Sequence, residues 1–440
     1  MERQKAKHLR WLWLVIVAVF AAAQPFAQGV GSINTAKNES ARSNSGGSSA
    51  SFRRVLNKTA PKRVKPKPAP VAAKGKGKRP AAPKLDADDY FEQGEDFAQA
   101  KKYQEALANY RQALRLRPRF AAALYEIGWI YNDLERFNEA LPPLEEALRY
   151  QANYPEVYNE LGYAHRKLGK FSEAAENYRQ AVAQRPDYAL ALFGLGDCYY
   201  YGTKEYKPAL EAYQRGLRLD KAERPQVQFN TGWILNELER YPEAIGYLEK
   251  ALQQQLERPE TAYAELGYAF SKQGKNNEAI ANYRRAMQVK PDYAPAFFGL
   301  GEVYFNAKQC ADAAPVYVSG LRLDPQNALA QYRVGYCYND IGKFAESIAP
   351  LREAIRLKPE YNAALIELGY SYNKLKQYAN ALGILNQALQ NEPKNSLAYY
   401  YIGINYLDWG RRNEAIQTYR TLQSIDKNRA QQLLDAINKR

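Results

Sequence analysis

Residues 87–120 read ADDYFEQGEDFAQAKKYQEALANYRQALRLRPRF, and their spacing of small, apolar and helix-breaking residues returns about every 34 residues down to the C-terminus. Counting on from Gly94 finds Gly128, Gly162, Gly196, Gly232, Gly267, Gly301, Gly335, Gly369 and Gly403 at the equivalent place. Twelve residues after most of these stands a small side chain, as in Ala106, Ala140, Ala174, Ala244 and Ala279. A fixed period of this length marks a solenoid of stacked units. Ten units begin at residues 87, 121, 155, 189, 225, 260, 294, 328, 362 and 396, and positions within a unit are counted from these starts.

Apolar and aromatic residues fall at positions 4, 7 and 11 and again at 20, 24 and 27, which is the pattern of two amphipathic helices and a turn. Glycine inside a helix costs about 1 kcal/mol relative to alanine, so ten of them at position 8 need a compensating contact. The spacing places that contact at the alanine twelve residues on. Proline at position 32, as in Pro118, Pro186, Pro291, Pro325, Pro359 and Pro393, removes an amide donor and ends the second helix. The fold class is therefore all-α, an α-solenoid of helical hairpins.

These residues resemble the tetratricopeptide repeat family, with its small residues at positions 8, 20 and 27, aromatics at 4, 11 and 24, and proline at 32. The unit Tyr263-Ala264-Glu265-Leu266-Gly267-Tyr268-Ala269-Phe270, followed by Ala279, Tyr283, Ala286 and Pro291, carries the resemblance most fully. The resemblance implies a right-handed superhelix whose first helices line a concave, partner-binding surface. Departures are an insertion near Tyr201 to Lys204, extra residues around Lys221 to Arg224 and Glu257 to Pro259, and Pro142, Pro143, Pro315 and Pro350 within second helices. Those prolines are expected to bend the helices without ending the stack.

A longer period overlies the short one. Gly128-Trp129-Ile130 and Gly232-Trp233-Ile234 share a pattern with Gly335-Tyr336-Cys337; Glu160-Leu161-Gly162-Tyr163 returns as Glu265-Leu266-Gly267-Tyr268 and Glu367-Leu368-Gly369-Tyr370. The array reads as one leading unit and three copies of a triplet, which fits either duplication history or a ligand that itself repeats.

Ahead of the array, Arg3, Lys5, Lys7 and Arg10 precede an apolar run from Trp11 to Ala23. A basic start, a short apolar core and small residues beyond it read as a secretory signal over residues 1–27, with an uncleaved signal anchor as the alternative. Residues 28–86 form a Ser/Gly stretch and then a Lys, Arg, Pro and Ala tract, a composition expected to stay disordered. Residues 1–84 hold 18 Lys plus Arg against 2 acids, whereas the rest holds 44 against 45, so the basic character belongs to the tail. The chain is expected to be exported, periplasmic or extracellular, and membrane-tethered if the signal is retained.

The repeats offer no constellation for catalysis. His165 occupies the aromatic position 11 and reads as a packed residue. Position-6 acids (Glu92, Glu126, Glu160, Glu265, Glu367) come one per repeat and read as helix surface. Cys198 and Cys337 fall at the small position 10, Cys310 lies in the turn of the seventh unit, and a Cys310–Cys337 bridge looks geometrically awkward. No Cys and His cluster has ligand spacing, so neither metal nor cofactor is expected.

What the repeats do offer is a stripe. Positions 5, 9 and 12 share one side of the first helix, the side that the resemblance assigns to the concave groove. Position 5 supplies Tyr125, Phe193, Phe229, Phe298 and Tyr332; position 9 supplies Trp129, Tyr163, Trp233, Tyr268, Tyr336 and Tyr370; position 12 supplies Asn132, Asn236, Asn339 and Asn373. Tyr and Trp give large contact areas at small entropic cost, and Asn can both donate to and accept from a peptide backbone. Aromatics at position 5 could equally pack between units. The family's clamp for acidic C-terminal peptides needs lysine and asparagine at positions 5 and 9, and that pattern is missing. The repeats span residues 87–428, and residues 429–440, with Ala430, Leu433, Leu434 and Ile437 at helical spacing, are expected to cap the last unit.

The reading is a non-enzymatic exported scaffold that holds a protein or peptide in an aromatic and asparagine-lined groove. Two other readings stand beside it: an envelope component that handles polysaccharide through the same rings, and a tether whose basic tail binds an anionic polymer or a membrane surface.

Overall fold

The computed structural model describes residues 85–439, so the signal and most of the basic tail lie outside the described residues. Among the described residues there are twenty-one α-helices, one π-helical turn and no strand. They fall into two compact units, up to Val227 and from Gln228. The first holds α1 (Ala87–Gln99), α2 (Tyr103–Leu116), α3 (Ala121–Asp133), α4 (Phe137–Tyr150), α5 (Pro155–Lys167), α6 (Phe171–Gln184), α7 (Ala189–Asp197) and α8 (Tyr206–Leu219). The last three residues of this unit begin helix α9 (Pro225–Glu237). The second unit continues with α10 (Tyr241–Gln253), α11 (Pro259–Lys272), α12 (Asn276–Val289), α13 (Ala294–Asn306), α14 (Cys310–Leu323), α15 (Ala328–Asp340), α16 (Phe344–Leu357), α17 (Asn362–Lys374), α18 (Tyr378–Asn391), α19 (Ser396–Asp408), α20 (Arg412–Gln423) and α21 (Lys427–Asn438).

Each repeat is a hairpin of two helices, as in α5/α6 or α11/α12, and within each unit successive hairpins stack into an α-solenoid. First helices also touch the first helix of the next repeat, as α3 does α5 and α15 does α17. The turn inside every hairpin needs one residue in the left-handed region. Gly169, Gly274, Gly342 and Gly410 supply it without strain, at φ 73–79°. Lys101, Glu135, Lys204, Glu239, Lys308 and Lys376 adopt it with a Cβ in place, at φ 56–60°.

The position-8 glycines do make room for the second helix, but chiefly for position 24 rather than for the alanine at position 20. A Cβ on Gly94 would lie 2.5 Å from Tyr110 Cε1, and one on Gly267 2.9 Å from the ring of Tyr283. In Gly128 and Gly232 it would meet Leu144 and Leu248 first, and a carbonyl oxygen of Ala140 or Ala244 only at 3.2 and 3.1 Å. Tyr110, Tyr213, Tyr283 and Tyr317 are thereby fully buried; burying one such side chain is worth on the order of 2–3 kcal/mol. The hydroxyls of Tyr213 and Tyr317 donate to Asp197 and Glu302 at 2.7 Å.

Pro142 and Pro143 lie inside α4, Pro315 inside α14 and Pro350 inside α16, and all three helices run through them. The insertion in the fourth repeat is absorbed as a π-helical turn, Cys198–Thr203, after which Lys204 reverses the chain at φ 57°. At the C-terminus α21 starts at Lys427, capped by the Asp426 carboxylate, and buries Ala430, Leu433 and Ile437 against Leu407, Ala415 and Leu422.

Candidate functional site

Position 9 places an aromatic ring where the first helix meets the start of the preceding repeat's second helix. Trp129 meets Tyr103 edge-on with centroids 6.3 Å apart. The same contact recurs at three-repeat spacing as Tyr163 on Phe137 (6.0 Å), Tyr268 on Tyr241 (6.1 Å) and Tyr370 on Phe344 (5.8 Å). In each of these three a lysine one helical turn on lies over the tyrosine: Lys167, Lys272 and Lys374, with Nζ 5.5, 5.3 and 5.2 Å from the ring centroid. Tyr336 meets Phe305 at 5.3 Å and Tyr370 also meets Tyr401 at 5.6 Å, while Trp233 sits on α9. All six position-9 rings are partly exposed.

The asparagines at position 12 are buried and face inward. Asn132 Nδ2 donates to the backbone carbonyl of Glu160 at 3.0 Å and to its carboxylate at 2.9 Å. Asn236 makes the same pair of bonds to Glu265, at 3.1 and 2.9 Å, and Asn339 to Glu367, at 3.0 and 2.9 Å. Asn373, whose following repeat has Tyr401 at position 6, donates instead to Asn405 Oδ1 at 3.2 Å. These amides therefore hold one repeat to the next, and their donors do not point at solvent.

The glutamates correct the reading of position 6 as helix surface. Glu92, which has no repeat before it, is exposed, but Glu126 and Glu160 are buried and Glu265 and Glu367 partly so. Burial pushes the Glu160 carboxyl up to about 7, against the bonds from Asn132 and Asn159, with Asp133 adding like charge. Burial likewise takes Glu265 up to about 7, with Asn236 opposing and Glu237 adding. Glu367 is raised by burial and by Asp340, against Asn339. Each triplet thus repeats a buried or partly buried Glu on an Asn, with a second acid at position 13. The sequence signal was available: Asn at position 12 is followed by Glu at position 6 of the next repeat in all three triplets.

The copies differ at the asparagine oxygen. Asn132 Oδ1 and Asn236 Oδ1 are buried without a hydrogen-bond donor. Asn339 Oδ1 accepts from Ser371 Oγ at 2.8 Å, where the other copies have Ala164 and Ala269.

The position-5 rings pack between helices. Tyr125 meets Tyr154 in a tilted pair with centroids 5.3 Å apart, and Tyr332 meets Tyr361 likewise at 5.0 Å. Phe193 is buried against Gly216, where a Cβ would come within 2.5 Å of its ring, and Phe298 fills the same notch at Gly320, at 2.7 Å. Phe229 is partly exposed on α9. Of the aromatic residues of the stripe only Phe193 is buried; the position-9 rings, Phe229, Tyr125, Phe298 and Tyr332 are partly exposed, and Tyr336 also meets position-5 Tyr332 at 6.2 Å.

Family models described as "Tetratricopeptide repeat" match residues 91–156, 159–223, 199–257, 307–362, 340–396 and 372–437, and one described as "TPR repeat" matches 267–308. No curated protein matches the chain. Among solved structures, YrrB, described as a TPR protein with an unusual peptide-binding site, is 21% identical with a TM-score of 0.39, over 42% of this chain and 95% of that one. MamA is 24% identical with a TM-score of 0.36, over 38% and 97%. The C-terminal part of a TPR repeat-containing protein from Cytophaga hutchinsonii is 18% identical with a TM-score of 0.47, over 55% and 98%. With family models covering most of residues 91–437, over helical hairpins that repeat in step with them, the chain belongs to the tetratricopeptide repeat family.

Proposed function

We propose that the chain is a non-enzymatic scaffold that binds a protein or peptide segment through its position-9 rings. The observation that carries this is the recurrence of one arrangement, Phe137–Tyr163–Lys167, Tyr241–Tyr268–Lys272 and Phe344–Tyr370–Lys374, partly open to solvent in each copy. A half-buried tyrosine propped by a second ring is pre-organised for contact, and a lysine beside it adds a donor for carbonyl or carboxylate groups of a partner. The Asn–Glu pairs keep adjacent repeats in register beneath the rings. A glycan would stack on ring faces that the lysines already flank, which favours the peptide reading over the polysaccharide one.

Residues 1–27 as an export signal, and residues 28–86 as a basic spacer, complete the proposal: the scaffold acts outside the cytoplasm, in the periplasm or beyond. The test is capture from an envelope extract by the full chain and by a variant with Tyr163→Ala, Tyr268→Ala and Tyr370→Ala, both shown helical by circular dichroism. Loss of a partner from the variant supports the reading; unchanged capture overturns it. Capture that collapses with moderate salt and needs residues 53–84 would assign binding to the tail instead.

A further inference from the structure

Position 17, the first residue of the second helix, is aromatic in most repeats, as in Tyr103, Phe137, Phe171, Tyr241, Phe344 and Tyr378. Its ring packs on the repeat that follows; Tyr103, for example, joins the cluster around Ile130, at position 10 of the next unit. The seventh and eighth repeats replace both partners of this contact with sulfur. Cys310 opens α14 at position 17, and Cys337 takes position 10 of α15, where the related repeats have Ile130 and Ile234. Both side chains are buried, 4% and 0% exposed, in one core cluster with Ala313, Tyr317 and Val334, and both are free thiols. Each thiol is among the groups that perturb the other's ionisation, so the two sulfurs are close neighbours.

We propose that Cys310 and Cys337 form a disulfide site that locks the seventh repeat to the eighth. The bridge looked awkward from sequence because the two residues lie in different hairpins; packing brings them to one inter-repeat contact. Cys198 has no part in it, since it belongs to the cluster of Tyr178 and Leu195 in the other unit.

The reaction is thiol–disulfide exchange with a small disulfide such as oxidised glutathione. One protein thiolate attacks that disulfide and releases the first glutathione thiolate, leaving a mixed disulfide. The second protein thiol, deprotonated, attacks the sulfur of its neighbour and releases the second glutathione. Two protein thiols are oxidised, one small disulfide is reduced to two thiols, and the two protons pass to those leaving groups. Burial raises both protein thiols, so little thiolate is present in the closed fold. Exchange is therefore expected during folding, or while the first turn of α14 is open.

The experiment uses the full chain, refolded from urea with reduced glutathione alone or with a reduced and oxidised glutathione couple. Thiols are then alkylated under denaturing conditions, and the peptides are mapped by mass spectrometry. Reduced protein should alkylate at all three cysteines; protein from the couple should alkylate only at Cys198, with a peptide linking Cys310 to Cys337 and an unchanged helical circular dichroism signal. A Cys198→Ser variant should lose the mass of two hydrogen atoms on oxidation, and a Cys310→Ser variant should show no intramolecular link. The proposal is overturned by three free thiols after refolding in the couple, by links only between chains, or by a link accompanied by loss of the helical signal. The wild-type map decides the matter even if the Cys310→Ser variant does not fold.

Discussion

Replacing Glu160 by glutamine should stabilise the first unit, and should do so only above mildly acidic pH. A carboxyl held at about 7 rather than 4.5 keeps its proton more tightly in the folded than in the unfolded chain. The folded state then binds more protons between those two values, so stability is greatest below about 4.5 and falls as pH rises toward 7 and just beyond. Fully ionised, the buried group costs the fold about 3 kcal/mol, at 1.36 kcal/mol for each pH unit by which the two states differ. Glutamine has no charge to desolvate. Its carbonyl can accept from Asn132 Nδ2 as the carboxylate does. The Glu160→Gln variant should therefore match wild type near pH 4 and exceed it by up to about 3 kcal/mol at pH 8. The assay is urea unfolding followed by circular dichroism at a series of pH values, and the quantity read is the difference between the two proteins, which cancels other titrating groups. A difference that does not change with pH, or a variant weaker than wild type at pH 8, would refute the reasoning, because the carboxylate would then be held by compensation that the Asn132 and Asn159 bonds do not describe. Glu265→Gln is the independent repeat of the test in the second unit.

Three further outcomes follow from the same geometry. Ser371→Ala should cost about 1–2 kcal/mol by stranding Asn339 Oδ1 in the core, and Ala164→Ser should gain up to about 1 kcal/mol by supplying the donor that Asn132 lacks; urea midpoints at neutral pH check both. Gly128→Ala should destabilise by about 1–3 kcal/mol despite alanine's better helix propensity, because the new methyl would lie 2.4 Å from Leu144 Cγ. Gly246→Ala and Gly383→Ala, in α10 and α18 with nothing within 4 Å, should each gain up to about 1 kcal/mol, and thermal unfolding should separate the two classes. Glu135→Gly should be neutral or stabilising by up to about 1 kcal/mol in the same assay, since its φ of 59° is one that four other repeats fill with glycine.

The hairpins, their number and their boundaries are legible in the chain because they depend on local periodicity: glycine at position 8, small residues at 20, proline at 32. Each is a property of one helix or one turn. The π-helical turn at Cys198–Thr203 was likewise announced by an extra residue in the fourth repeat, although not the form it would take. The stripe at positions 5, 9 and 12 was legible as a stripe, since helical geometry alone puts those side chains on one side.

What each position of the stripe faces was decided only by the stacking of one hairpin on the next. Sequence spacing cannot say that Phe193 enters the notch at Gly216, or that Tyr163 stays partly open with Phe137 behind it and Lys167 over it. The same holds for Cys310 and Cys337, which lie in successive hairpins and meet only through packing. Periodicity along a helix determines which residues share a face. Whether that face holds the neighbouring repeat or is left for a partner depends on the distance and rotation between hairpins, and those are set by the summed fit of side chains such as Tyr110 and Tyr283 into the glycine gaps opposite them.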